Sequence, residues 1–224
     1  MPPHATPSFD WVDRGPRTDT RERVSALALL LYPSRFRAAL ESSESRAQRF
    51  GREASAGPPD LHPEYPAEGI QRAELHARYG DAFHERLKQS FAASGLVYNP
   101  PPDVVPNTMR ALRVTELARE RGLHRHVHDR LMRAYWEEAH NIGDSSEVLA
   151  LAVEAGLDEK EAAEVITGDA YQERVLTSTA QAQSIGITGI PAFLLDGRFL
   201  VLGAQPRGVF EQALAQLDKQ GPTD

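Results

Sequence analysis

Apolar residues recur every three or four positions through the middle of the chain, which is the spacing of amphipathic helices. One such apolar face is formed by Leu123, Val127, Leu131, Ala134 and Tyr135. Residues 67–186 are therefore predicted to be almost entirely helical.

Capping residues locate the ends of these helices. Asn107 is predicted to cap a helix that ends at Gly122, because Asn favours the N-cap and Gly favours the position after the last turn. A last helix is predicted from about Ala170 to Ser184, before Gly186. Two further helices begin at residues with capping-box spacing, which are Asp144 with Glu147 and Asp158 with Glu161.

The pattern changes after residue 186. Two apolar runs, Ala192 to Leu195 and Phe199 to Leu202, are separated by Asp196-Gly197, a pair that favours a tight hairpin turn. Pro206 then opens a predicted final helix. This end of the chain is therefore predicted to form a β-β-α unit.

Residues 1–66 are rich in Arg, Ala, Ser and Pro. One helix is predicted from about Thr20 to Leu31, and a second between Ser34 and Gly51. Residues 51–69 are predicted to be a loop because Pro and Gly interrupt them repeatedly. The pattern predicts no strand in this stretch.

Composition limits the classes of function. The chain has 224 residues, which suits one domain with a large insertion or two small domains with a shared core. Its net charge is −7 and its basic residues alternate with acidic ones, which argues against nucleic-acid binding. No apolar run is long enough to cross a membrane, and the start does not resemble a secretory signal, so we expect a cytoplasmic protein.

The chain contains no cysteine. Disulfides, thiolate nucleophiles and cysteine metal ligands are therefore excluded.

Several motifs occur together in an order that resembles the DsbA family, in particular its cytoplasmic FrnE-like branch. Gly189-Ile190-Pro191 precedes the hairpin, and Gly203-Ala204-Gln205-Pro206 follows it. Upstream matches are His62 to Gly69, Asn107-Thr108, Ala134-Tyr135-Trp136 and Asn141 to Asp144. The resemblance extends over about residues 61–215.

This resemblance implies an α/β thioredoxin-like fold with a large all-helical insertion, and with N-terminal strands that are divergent or absent. It divides the chain into a degenerate first part of the thioredoxin core at 1–66, a helical insertion at 67–186 and a C-terminal β-β-α unit at 187–224.

The resemblance also implies a substrate-docking loop at Gly189, Ile190 and Pro191. In this family the proline peptide bond is cis, and the N–H and C=O of the preceding residue pair with an extended substrate. The catalytic dithiol of the family, a Cys-x-x-Cys or Cys-x-x-Ser motif after the first strand, has no counterpart here. We therefore assign no catalytic residue and expect substrate binding without redox turnover.

The expected first two strands are not evident. Ser8 to Val12 is the only candidate for the first, and Ala54 to Pro59 cannot form a central strand. The resemblance is therefore expected to stop near residue 60. The preceding residues would be unrelated sequence, strongly diverged sequence or the product of a shifted reading frame. The terminal hairpin would then lack strand partners and expose an edge.

Other residues have alternative interpretations. Asn107, Tyr135, Trp136 and Phe193 are candidates for a pocket between insertion and core, although capping by Asn107 and core packing by the aromatic residues are favoured. His124, His126 and His128 lie close together, and two of them share a helix face, but no HExxH pattern accompanies them. We therefore favour no metal site.

Two alternative functions stay open at this point. A glutathione-dependent isomerase or transferase of the 2-hydroxychromene-2-carboxylate isomerase or kappa type uses the thiol of glutathione, which suits a chain without cysteine. A non-catalytic peptide-binding or chaperone-like module would use the same loop. The expected partners are a peptide, a protein substrate or glutathione, and a homodimer is compatible with the sequence.

Overall fold

The structure is a computed structural model. It describes residues 23–27, 53–57, 60, 62–79, 85, 88–89, 91–92, 97–99, 103–187, 192–195, 198–203, 205 and 207–220, with the backbone alone for the first two ranges.

The described strands form two sheets. Their bounds are β1 Arg23–Leu27, β2 Glu53–Gly57, β3 Ile70–Gln71, β4 Val104–Val105, β5 Ala192–Leu195 and β6 Phe199–Leu202. The larger sheet has the order β2-β1-β5-β6, in which β1 and β2 are parallel and the other neighbours are antiparallel. The two-residue strands β3 and β4 form a small antiparallel pair.

Seven helices are described, most of them between β3 and β5. They are α1 Arg72–Tyr79, α2 Met109–Glu120, α3 His124–Glu137, α4 Ser145–Glu154, α5 Glu159–Thr167, α6 Gln172–Ser184 and α7 Arg207–Gln220. The predicted helices after residue 107 and the strands of the terminal hairpin are therefore confirmed. The Asp196-Gly197 turn between those strands lies outside the described residues.

The predicted helix caps have a clear structural basis. The Asp144 carboxylate accepts hydrogen bonds from the backbone N–H groups of Ser146 and Glu147 at the start of α4. At the start of α5, Asp158 accepts one from the Glu161 N–H. These bonds satisfy backbone donors that have no partner within the helix, and so they fix where each helix begins.

The predicted helix from Thr20 to Leu31 is wrong for residues 23–27, which form β1. A short apolar run such as this one fits a buried strand as well as a helix. Hydrogen bonding to β2 on one side and β5 on the other decides in favour of the strand. Ser8 to Val12, the expected first strand, lies outside the described residues.

The interpretation of residues 51–69 as a loop is wrong for Glu53–Gly57, which form β2. The expectation that this segment cannot be a central strand is compatible with its position, because among the described strands β2 is at the edge of the sheet and pairs with β1 alone. The expectation that the terminal hairpin lacks strand partners is also wrong, since β5 pairs with β1 along four residues.

Two hydrophobic cores are associated with the insertion and the sheet. Helices α2 to α6 enclose the larger core, which includes the fully buried Val114, Val127, Leu131 and Ile142. The smaller core lies between the hairpin and α7, where Phe193, Leu195 and Val201 pack against Ala213 and Leu217. The predicted domain bounds at residues 66 and 186 stay a prediction.

A third apolar cluster joins the insertion to the sheet. Ala182 of α6 and Ile187, just after that helix, pack against Ala192 of β5, and Leu200 of β6 lies beside them. Because Ile187 and Ala192 flank the predicted docking loop, this cluster fixes both ends of that loop.

A buried acidic residue connects two helices of the insertion. The Glu116 side chain on α2 is only 3% exposed, and it binds Arg119 at 3.1 Å and Arg174 of α6 at 3.2 Å. Loss of either arginine would leave its charge partly uncompensated, so this contact fixes the position of α6 against α2.

We expect Leu131→Ala to lower the free energy of unfolding by about 2–5 kcal/mol, because it opens a cavity in the insertion core. Leu176→Ala is the matched control, since Leu176 on α6 is 41% exposed. It should cost less than about 1 kcal/mol. Urea denaturation measures both values, and equal losses would contradict the core described above.

Candidate functional site

Three segments of the chain meet at one end of the larger sheet. Leu27, the last residue of β1, pairs with Gly57, the last residue of β2, and with Ala192, the first residue of β5. The last residues of β1 and β2 and the first residue of β5 are therefore neighbours. We call this end of the sheet the docking edge.

The predicted docking residues Gly189, Ile190 and Pro191 lie outside the described residues, so their assignment stays a prediction. Their flanks are well defined, because Ile187 and Ala192 are both fully buried. Ala192, the first described residue after the predicted loop, lies at the docking edge.

The side-chain amide of Asn107 makes hydrogen bonds to two different segments of the chain. Its Oδ1 accepts a hydrogen bond from the Met109 N–H at 2.9 Å, at the start of α2. Its Nδ2 donates to the Tyr65 carbonyl at 2.7 Å. Asn107 thus holds the segment 62–69, which follows β2, against the first turn of α2. The N-cap position of α2 is Thr108, whose side chain makes no cap bond, so the amide of Asn107, one residue earlier, supplies the side-chain hydrogen bond to the start of the helix.

The aromatic candidates lie in two different places. Tyr135 and Trp136 belong to the insertion core, where Trp136 packs against Phe91 and Tyr98. Phe193 belongs to the sheet core and makes an edge-on contact with Phe210 of α7, with ring centroids 5.0 Å apart. A pocket shared by these residues and Asn107 stays a prediction.

The segment 62–69 has local order of its own. The rings of His62 and Tyr65 stack with their centroids 4.5 Å apart, and His62 Nδ1 lies 2.9 Å from Glu64 Oε1. This contact with His62 lowers the pKa of the Glu64 carboxyl. Gly69, with φ of 81°, lies against the backbone of β4, so a side chain at that position would collide with Val105.

Asp60 is a residue of this region that the sequence did not single out. It lies three residues after β2 and is 2% exposed. Its N–H donates to the Thr179 hydroxyl of α6 at 2.8 Å, and its Oδ1 accepts from the His62 N–H at 3.0 Å. Burial raises the pKa of the Asp60 carboxyl. The one available signal was an acidic residue between Pro59 and an apolar neighbour, Leu61.

The surroundings of two of the three candidate histidines, His124 and His126, argue against metal binding. His126 is exposed. The Arg119 guanidinium donates to His124 Nε2 at 3.0 Å, which occupies the lone pair that a metal would need. Burial and the charge of Arg119 lower the pKa of His124 to about 3. In the part of the chain that the structure describes, no three His, Cys, Asp or Glu side chains converge as metal ligands do.

The model of the DSBA-like thioredoxin domain family matches residues 40–215, which is most of the chain. The chain belongs to the DSBA-like thioredoxin domain family. The match begins before β2, so the expectation that the resemblance stops near residue 60 is wrong. Residues 53–57 form a strand of the sheet although their sequence, Glu-Ala-Ser-Ala-Gly, lacks the large apolar residues by which a buried strand is usually recognised.

Solved structures of DsbA-like proteins have the same fold. A probable DsbA oxidoreductase from Streptomyces coelicolor is 30% identical, covers 91% of this chain and 93% of its own, and superposes with a TM-score of 0.80. This confirms the thioredoxin-like fold with a helical insertion.

Two more distant structures show the fold alone. A 2-hydroxychromene-2-carboxylate isomerase is 19% identical, with a TM-score of 0.64 and coverage of 88% of this chain and 97% of its own. A cytosolic disulfide reductase, DsbM from Pseudomonas aeruginosa with GSH, is 17% identical, with a TM-score of 0.58 and coverage of 87% and 100%.

A curated relative is the uncharacterized protein YwbO of Bacillus subtilis, 29% identical over 122 residues. The matched stretch covers 53% of this chain and 60% of YwbO.

Within the described ranges, no helix combines the length and apolarity needed to cross a lipid bilayer.

The resemblance places the family's dithiol after the first strand, and the first strand among the described residues is β1. The sequence after β1 reads Ala28-Leu29-Leu30-Leu31-Tyr32 and contains no cysteine, as does the rest of the chain. The chain therefore has no thiol of its own for thiol–disulfide exchange.

We expect Asn107→Ala to lower the free energy of unfolding by about 1–2 kcal/mol, because it removes the cap of α2 and the bond to the Tyr65 carbonyl. Asn107→Asp should recover part of that loss, since a carboxylate keeps the cap but cannot donate to the carbonyl. Urea denaturation ranks the three proteins. Equal stability of Asn107→Ala and the unsubstituted protein would refute the capping role.

Proposed function

We propose that this protein binds extended peptide segments at the docking edge without carrying out thiol–disulfide exchange. The backbone N–H and C=O of Ile190, the residue before Pro191, would pair with the peptide as an added strand. The protein would then act as a peptide-binding module built on a DsbA-like fold.

The main support for this proposal is that β1, β2 and β5 meet at one end of the sheet in a chain that contains no cysteine. Leu27, Gly57 and Ala192 lie at one end of the sheet, which supports a docking loop before Ala192 close to the segment after β1. Exchange requires a thiolate that attacks a disulfide, and hydroxyl side chains do not replace it. The fold therefore has a sheet end at which we propose that a substrate docks, and the chain has no thiol that could react with it.

Peptide binding is tested with a fluorescent insulin B chain whose cysteines are carbamidomethylated, so that no thiol chemistry contributes. We expect saturable binding, weakened about tenfold by Pro191→Ala, a loss of roughly 1.4 kcal/mol that is comparable to one hydrogen bond. Pro66→Ala is the matched control, because Pro66 is exposed in the segment 62–69. Fluorescence anisotropy measures all three affinities.

Redox inactivity is tested with insulin reduction in the presence of dithiothreitol. The protein should not raise the rate above the uncatalysed background. Turnover above that background, or equal affinity of Pro191→Ala and Pro66→Ala for the peptide, would contradict the proposal.

A glutathione-dependent isomerase or transferase is a second candidate. The similarity of fold to a 2-hydroxychromene-2-carboxylate isomerase and to a structure with GSH favours it, as does the lack of cysteine in this chain. Glutathione would bring the thiol that the chain lacks. Saturable glutathione binding by calorimetry, lost in Pro191→Ala, together with no binding of the alkylated B chain, would favour this candidate over peptide binding.

The FrnE-like branch and a cytoplasmic location are part of the same proposal. A chain that forms no disulfides has no need of an oxidising compartment, and the DsbM structure is that of a cytosolic protein. Fractionation of cells that express the native gene tests the location. A homodimer stays a prediction.

A further inference from the structure

Asp60 combines deep burial with incomplete hydrogen bonding. Its carboxyl is 2% exposed, Oδ1 accepts from the His62 N–H, and Oδ2 is buried with no hydrogen-bond partner. An ionised carboxylate accepts up to about four hydrogen bonds, and a buried one that lacks them loses its hydration without replacement. This site therefore suits the neutral acid better than the carboxylate.

Asp60 also joins three parts of the fold. Its own segment leaves β2 at the docking edge, its N–H binds Thr179 of α6, and the Thr108 side chain, next to α2, acts on its carboxyl in favour of the ionised form. Thr179 itself donates to the Val175 carbonyl within α6, so its hydroxyl is held in place. The contacts of Asp60 thus determine where the chain leaving β2 meets the two helices.

The charged groups that act on the Asp60 carboxyl come from its own segment. They are His62, whose charge favours the carboxylate, and Glu64, whose charge disfavours it. From α2 and α6 the contacting side chains are Thr108 and Thr179, which carry no charge. Among the described residues, no arginine or lysine compensates an ionised Asp60.

We propose that Asp60 is a proton-dependent positioning residue: as a neutral acid it is tolerated in the buried junction between the chain leaving β2 and helices α2 and α6, and as a carboxylate with an unpartnered Oδ2 it destabilises that junction. The inference takes from the proposed function only the location of the docking edge. If Asp60 acts in this way, the structural order of residues 62–69 depends on pH.

The direction of the effect follows from linkage. Burial raises the pKa of Asp60 above its ordinary value of 3.8, so the folded protein binds this proton more tightly than the unfolded chain does. The stabilisation is complete below that ordinary value and is lost as the pH rises through the raised pKa. At higher pH the folded state holds an uncompensated carboxylate.

The test compares the thermal midpoints of the unsubstituted protein and Asp60→Asn across the pH range from 4 to 8. Asn is close to the neutral acid in shape and cannot ionise. We expect similar midpoints at the acid end and a midpoint about 2–4 °C higher for Asp60→Asn at neutral pH. Glu68→Gln is the matched control, because it removes an exposed carboxyl of the same segment that is not among the groups acting on Asp60, and it should show no such gain.

Hydrogen exchange and carboxyl NMR complete the test without any peptide ligand. The amides of residues 62–69 should exchange faster as the pH rises, after correction for the intrinsic rate, and this acceleration should be absent in Asp60→Asn. The Asp60 carboxyl carbon, followed by NMR, should titrate above 3.8. Parallel pH profiles of the two proteins, or titration of Asp60 at or below its ordinary pKa, would overturn the proposal whether or not peptides bind.

Discussion

Strand β1 holds the candidate site together because it is hydrogen-bonded on both sides. Its parallel pairing with β2 and its antiparallel pairing with β5 bring Leu27, Gly57 and Ala192 to the same end of the sheet. Without β1, the terminal hairpin and β2 would have no common partner in the sheet order β2-β1-β5-β6. The docking edge is therefore a consequence of one strand of five residues.

The helical insertion is fixed to this sheet by contacts near the same edge. Ala182 and Ile187 pack against Ala192, so the last turn of α6 determines how the loop enters β5. The Asn107 side chain and the Asp60 contacts hold the chain leaving β2 against the starts or sides of α2 and α6. The Glu116 ion pairs then fix α6 relative to α2. The docking edge and the insertion are consequently one packed unit.

Sequence patterns predicted the parts of this fold that have strong local signals. The capping residues Asp144 and Asp158 correctly predicted where their helices begin, because a capping carboxylate accepts hydrogen bonds from N–H groups only two or three residues further along the chain. The sequence failed where tertiary pairing decides, since residues 23–27 and 53–57 are short and their strand conformation depends on partners far along the chain. Asn107 was predictable as a cap, whereas its bond to the Tyr65 carbonyl and the burial of Asp60 depend on the folded arrangement.

The most direct measurement of β1 pairing is disulfide formation between engineered cysteines, which is unambiguous in a chain with no other cysteine. Ser25 and Leu194 are cross-strand partners, so the double substitution Ser25→Cys and Leu194→Cys should form an intramolecular disulfide on mild oxidation. Ser25→Cys with Leu195→Cys is the control, because adjacent strand residues point to opposite faces of a sheet. The account predicts cross-linking in the first protein and not in the second. Equal cross-linking in both, or none in the first while it remains folded, would contradict it.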